Sequence, residues 1–68
     1  MTQANINKAV EAVQERYDSY IAWKSEGNME RAEVCLSDGV AYMDMFHILT
    51  GDYISIEDGK AVVLHGKG

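Results

Sequence analysis

Between Ile6 and Lys24 the apolar residues Ile6, Ala9, Val10, Val13, Tyr17, Tyr20 and Ile21 recur at intervals of three and four. That spacing is the period of an amphipathic helix, and Glu11, Glu15 and Asp18 fall on its opposite face. It predicts a helix over about residues 5–25. Asn5 or Thr2 can cap the start, because a short polar side chain accepts from the free amides of the first turn. Gly27 suits the left-handed position just past the end. Lys24 lies at the centre of the apolar stripe, close enough to the helix end for its ammonium to snorkel into water.

A second helix is predicted over about residues 29–50, from an Asn28 cap to a stop at Gly51. Met29, Ala32, Leu36, Val40 and Met43 line one side of it, continued by His47, while Val34, Ala41, Met45 and Ile48 lie roughly opposite. A helix apolar on two sides is expected to be covered on two sides, which places it in the middle of the structure. Gly39 weakens a helix by roughly 1 kcal/mol relative to Ala. The expectation is nonetheless a continuous helix with close backbone approach at that glycine. Only Glu26, Gly27 and Asn28 separate the two periodic segments, so the helices should be antiparallel neighbours.

The stretch EGNMERAEVCLSDGVAYM resembles the inter-helix turn and second helix of a tetratricopeptide repeat, through Gly27, Asn28, Glu30, Ala32 and Ala41. The resemblance covers one helical hairpin. Repeats of that family stack in tandem to bury their faces, and no second copy occurs in this chain. What it implies is a local αα-hairpin, with no peptide-binding groove.

The run GDYISIEDGKAVVLHG then changes period from 3.6 to 2. Asp58-Gly59 is a favoured two-residue type I′ turn, which predicts a β-hairpin over about residues 52–65. It pairs Tyr53 with Leu64, Ile54 with Val63, Ser55 with Val62, Ile56 with Ala61 and Glu57 with Lys60. One face carries Ile54, Ile56, Ala61 and Val63 and belongs against the central helix. The other mixes Tyr53, Ser55, Val62 and Leu64 with the Glu57 and Lys60 pair. Isolated hairpins are marginal in water and leave two edges unpaired, so this one should pair with another copy of itself or offer an edge to a partner. The expected fold class is α+β: an antiparallel two-helix hairpin followed by a C-terminal β-hairpin, one domain over residues 1–68, completed by homodimerisation.

Size sharpens that expectation. A chain of 68 residues buries only about 60% of its unfolded surface and usually leans on disulfides, a metal or a partner chain. Cys35 is the only cysteine, so an intramolecular bridge is excluded, and a lone thiol fits a reducing compartment. The start, MTQANINKAV, has no basic region followed by an apolar run, and no apolar stretch approaches the roughly 20 residues of a membrane span. A soluble, cytoplasmic protein is expected, with no membrane association. Six Lys and Arg against eleven Asp and Glu give a net charge of −5. Scattered cations and a negative surface disfavour direct nucleic-acid binding. An acidic surface can attract a basic partner, or merely keep the chain in solution.

Candidate chemistry is sparse. Asp44 and His47 share a helix face, and Cys35 and His65 have the side-chain types to join them on a metal, but the spacing requires nothing of the kind. Ser37, Asp38 and His47 have the side-chain types of a hydrolase triad without a nucleophile elbow. Glu30 and Glu33 suit the positive end of a helix dipole better than acid-base work. Cys35, between Val34 and Leu36, fits a small apolar filler. Trp23 and Phe46 lie at the margins of their stripes, as peripheral core or interface anchors. No catalytic, metal or cofactor site is therefore expected. The expected function is that of a small acidic, non-enzymatic protein-binding module, a homodimer acting as an inhibitor or adaptor of the kind phages and mobile elements encode, which covers a site on a larger protein. The surface expected to do so comprises Tyr53, Val62 and Leu64 on the hairpin, Glu30, Glu33 and Asp44 on the acidic helix edge, and Trp23. The alternatives are a nucleic-acid mimic that blocks a DNA- or RNA-handling protein, and a small metal-dependent enzyme subunit.

Overall fold

The computed structural model describes residues 1–66. Two helices, α1 (Gln3–Ser25) and α2 (Met29–Thr50), are followed by strands β1 (Tyr53–Glu57) and β2 (Lys60–Leu64). The chain is thus α+β, two helices and a two-stranded antiparallel sheet. Of the two possible caps on α1, Thr2 is used, its hydroxyl accepting from the Asn5 amide at 3.2 Å. The Asn28 side chain accepts from the Arg31 amide at 3.1 Å and caps α2. Gly51, at φ 78°, ends α2 and returns its amide to the His47 carbonyl. Neither helix is long and apolar enough to cross a membrane.

Contacts run in opposite senses along the two helices: Trp23 meets Arg31, Arg16 meets Gly39, and Ala9 lies beside Phe46. The helices are therefore antiparallel, as a short connection demands. Ala32, Cys35 and Gly39 are the buried residues of α2 in its first three turns, and small side chains at a contact shorten the distance between helix axes. Gly39 shows why: a Cβ there would lie 3.3 Å from the Arg16 Cβ, tighter than ordinary van der Waals contact. The helix runs unbroken through it.

The hairpin has the register its turn dictates, Tyr53 opposite Leu64 through Glu57 opposite Lys60. Both central turn residues, Asp58 at φ 53° and Gly59 at φ 78°, are left-handed, as a type I′ turn requires. Its position differs from the expectation. It rests on both helices, β1 against α2 and β2 against α1, because the apolar face of two strands is wide enough to cover the cleft between two helices.

At the centre of that cleft Val13, Phe46 and Ile54 form one buried cluster, one residue from each of α1, α2 and β1. Ile6, Ala9, Val10, Met43, Ile56, Ala61 and Val63 pack around it. Phe46, expected at the margin, is 3% exposed and belongs to the innermost core. The two apolar sides of α2 are the other correction. Val34, Met45 and Ile48 of the second side are exposed, Ile48 by 74%, and so are Met29, Leu36 and Val40 of the first, because α1 and the hairpin cover the strip of Ala32, Cys35, Gly39 and Phe46 that runs between them. Lys24 is exposed, its ammonium 5.6 Å from the centroid of the Tyr20 ring.

One polar side chain ties the layers together. Gln14 Oε1 accepts from the Ala61 amide at 2.6 Å, and its Nε2 donates to the Gly59 carbonyl and to Asp18 Oδ1, both at 3.0 Å. A single residue of α1 thereby holds both the turn and the strand that leaves it.

Truncation of Phe46 removes the side chain shared by all three layers. Phe46→Ala should cost about 3–5 kcal/mol, comparable to the whole stability of so small a domain, and thermal unfolding followed by circular dichroism should lose its cooperative transition. Gln14→Ala should leave the fold intact and lower stability by about 1–2 kcal/mol, measured as a shift of the urea midpoint with unchanged slope.

Candidate functional site

The residues between α2 and β1 form a tightly bonded joint. Thr50 Oγ1 donates to the Phe46 carbonyl at 2.7 Å and accepts from the Asp52 amide at 3.1 Å. Asp52 in turn accepts from the Gly66 amide through Oδ1 at 3.0 Å, and the His65 Nδ1 lies 3.5 Å from its Oδ2. The segment after β2 is thus drawn back to the start of β1. A Cβ at Gly66 would collide with the Gly51 carbonyl, so the close crossing needs glycine there. β2 itself ends at Leu64, which shows that His65 does not continue the strand; residues 67–68 lie outside the described residues.

Tyr53 sits on this joint. Its ring stacks on His47 with centroids 4.1 Å apart and planes 17° from parallel, while His47 Nδ1 lies 3.2 Å from the Asp52 carbonyl. The strand alternation puts Tyr53 on the outer face with Ser55 and Glu57. At the first strand position, however, the ring reaches past the sheet edge to α2. It remains 49% exposed, and its cross-strand partner Leu64 is 43% exposed. Val62, half-buried, lies diagonal to Tyr53 and directly opposite Ser55. Alternation thus puts Tyr53, Val62 and Leu64 on the outer side of the hairpin, with the Tyr53 ring turned toward His47 at one end.

The other residues expected in the site are dispersed. Glu30 and Glu33 are exposed in the first two turns of α2, the opposite end of that helix from Tyr53. Asp44 is exposed one turn before His47, on the α2 flank that leads to β1. Glu33 and Asp44 are eleven positions apart, about three helical turns and roughly 16 Å along one strip. Trp23 is half-buried near the end of α1 beneath the Arg31 guanidinium, 4.9 Å from the ring centroid. Trp23 with Glu30 and the hairpin patch are thus two separate regions.

A further apolar surface lies on another flank of the helices. Met1, Ala9, Ala12, Tyr42, Met45, Phe46 and Leu49 line an open apolar groove of about 200 Å³. Of the second apolar side of α2, expected to be covered, only Met45 lines it; Tyr42 and Leu49 fell on neither apolar side. A smaller hollow of about 30 Å³ lies where the hairpin turn stops short of the helix connection, between Tyr17, Leu36, Val40 and Ile56.

As for chemistry, Cys35 is buried beside Val13 and Gly39, in the setting of a small apolar filler. Ser37 and Asp38 are exposed on α2, whereas His47 is engaged with Tyr53 and Asp52. Asp44, His47, Cys35 and His65 do not come together: among the described residues no group of three or more His, Cys, Asp or Glu is placed to hold a metal ion. The arrangement offers contact area and hydrogen-bonding edges. No family model, no curated protein and no solved structure matches this chain.

Proposed function

We propose that this chain is a small, non-enzymatic protein-binding module that works as a cytoplasmic homodimer and covers a site on a larger protein, as an inhibitor or adaptor of phage or mobile-element type. The observation that carries the reading is the Tyr53, Val62 and Leu64 patch on the outer hairpin. Two of its three residues are large, apolar and close to half exposed, and Tyr53 is held by the His47 stack before any partner arrives. An aromatic side chain already fixed in place loses little rotamer freedom on binding, which is one reason such residues dominate interface energetics.

The acidic strip of Glu33 and Asp44 supports a partner with basic groups at the rim of the contact. Rim charges of this kind accelerate encounter and are screened by salt, while the apolar patch sets the rate of release. A nucleic-acid mimic, by contrast, needs a dense array of carboxylates. The exposed acids here are interrupted by Val40 and by the apolar flank of α2, and the net charge is only −5.

Tyr53→Ala and Leu64→Ala should each weaken binding of the partner by about 1–3 kcal/mol, mainly through faster dissociation in surface plasmon resonance. Glu33→Gln with Asp44→Asn should slow association and reduce its salt dependence. Unchanged dissociation rates for both hairpin variants would exclude the patch as the binding surface.

A further inference from the structure

The open groove between α1 and α2 is one part of a longer face. Ala12 and Gln14 lie about 100° to either side of the buried Val13 on α1. Gln14 holds the hairpin, so the groove that Ala12 lines is turned away from it. Arg16 follows Ala12 by one turn of α1, and Asp38 precedes Tyr42 by one turn of α2, so both continue the face on their own helices. Val34 extends it by a further turn and is 59% exposed.

The two halves of this face differ in height and in charge. The α1 half is low, with Ala9 and Ala12 in the groove, whereas on α2 the large side chains of Tyr42, Met45 and Leu49 stand 48%, 54% and 64% exposed. The α1 half carries a cation, Arg16, and the α2 half an anion, Asp38. Ala9 stands level with Phe46, and Arg16 with Gly39. The offset is the same in both pairs, so Ala12 is level with the stretch between Tyr42 and Met45, and Arg16 with Asp38. Among the described residues neither Arg16 nor Asp38 belongs to an ion pair.

Resting on the homodimer reading above, we infer that a second copy of this chain packs on this face about a two-fold axis parallel to the helices. Such an axis keeps every residue at its level and exchanges the two sides, so α1 of each copy receives α2 of the other. The partner's Tyr42 and the partner's Met45 then fill the space over Ala9 and Ala12, and Arg16 meets the partner's Asp38, once on each side of the axis. An axis running across the helices would set the high ridge of α2 against its own image and the alanines against theirs, which leaves a void. The product is a four-helix bundle in which every neighbouring pair of helices is antiparallel, with one hairpin on each outer side. α2 is about 33 Å long at its 22 residues, and the molecule is 20 Å across. One copy therefore offers on the order of 650 Å², within the roughly 600–1,000 Å² that each partner brings to a stable interface. The outer side of the hairpin stays uncovered for the larger partner.

The test uses the full chain in sedimentation equilibrium, with far-ultraviolet circular dichroism to confirm the fold of each variant. Arg16→Asp and Asp38→Arg should each weaken the wild-type dimer at least about tenfold, because each places like charges opposite one another across the axis. An equimolar mixture of the two variants should dimerise again, since it sets a carboxylate against a guanidinium at both pairs, a rescue that contacts within one chain cannot produce. Met45→Glu, at a side chain exposed in the single chain, should weaken the dimer to a similar extent. A wild-type dimer that all three variants leave intact, or single-variant losses that the mixture fails to restore, would overturn this interface while preserving the homodimer. A wild-type chain that stays monomeric to about 1 mM, with a Kd beyond that of any functional self-association, would overturn both.

Discussion

The three-way contact of Val13, Phe46 and Ile54 is the constraint from which the rest of the fold follows. Each residue comes from a different element, so none of the three elements can bury its share without the other two. A helix pair of this length is marginal when it relies on propensity alone, and a two-stranded hairpin is weaker still. Joined over one cleft they become a single cooperative unit. Small residues on α2 bring the helices close near their connection, and the large Phe46 side chain fills the other end, where the hairpin sits.

Local features of the fold were legible in the sequence because local chemistry determines them. The three-and-four spacing in α1, the Asn28 cap, the Gly51 stop and the Asp58-Gly59 turn each rest on a few neighbouring residues, and the strand register follows from the turn alone. Long-range placements were not legible. Phe46 lies between the two apolar sides of α2, so periodicity gave it no clear side until the hairpin arrived above it. Gln14 reads as one more polar residue on a helix. Its role depends on Gly59 and Ala61, more than forty positions along the chain, and no local pattern carries that information. The patch of Tyr53, Val62 and Leu64 could be placed on one face from alternation, but the turn of the Tyr53 ring toward His47 is a property of the joint with α2.

The exposed flank of α2 has a different origin. Periodicity shows that a side is apolar without showing what covers it, and a chain of this size has only three elements to distribute. The hairpin and α1 take two approaches to α2, leaving Met45 and Ile48 bare. Acidic residues surround these patches, with Glu33 and Asp44 on one strip and Asp38 near the other. Like charges on every copy oppose indiscriminate clustering through these faces, so any association must be specific enough in geometry to overcome them.

Gln14 also bears on how this small domain comes apart. Its amide group holds the Gly59 carbonyl and the Ala61 amide to α1, so the tip of the hairpin, the place where a two-stranded sheet would otherwise begin to fray, lifts from the helices only by giving up two hydrogen bonds at once. One side chain near the start of the chain thereby makes its last element open with the whole domain and not ahead of it.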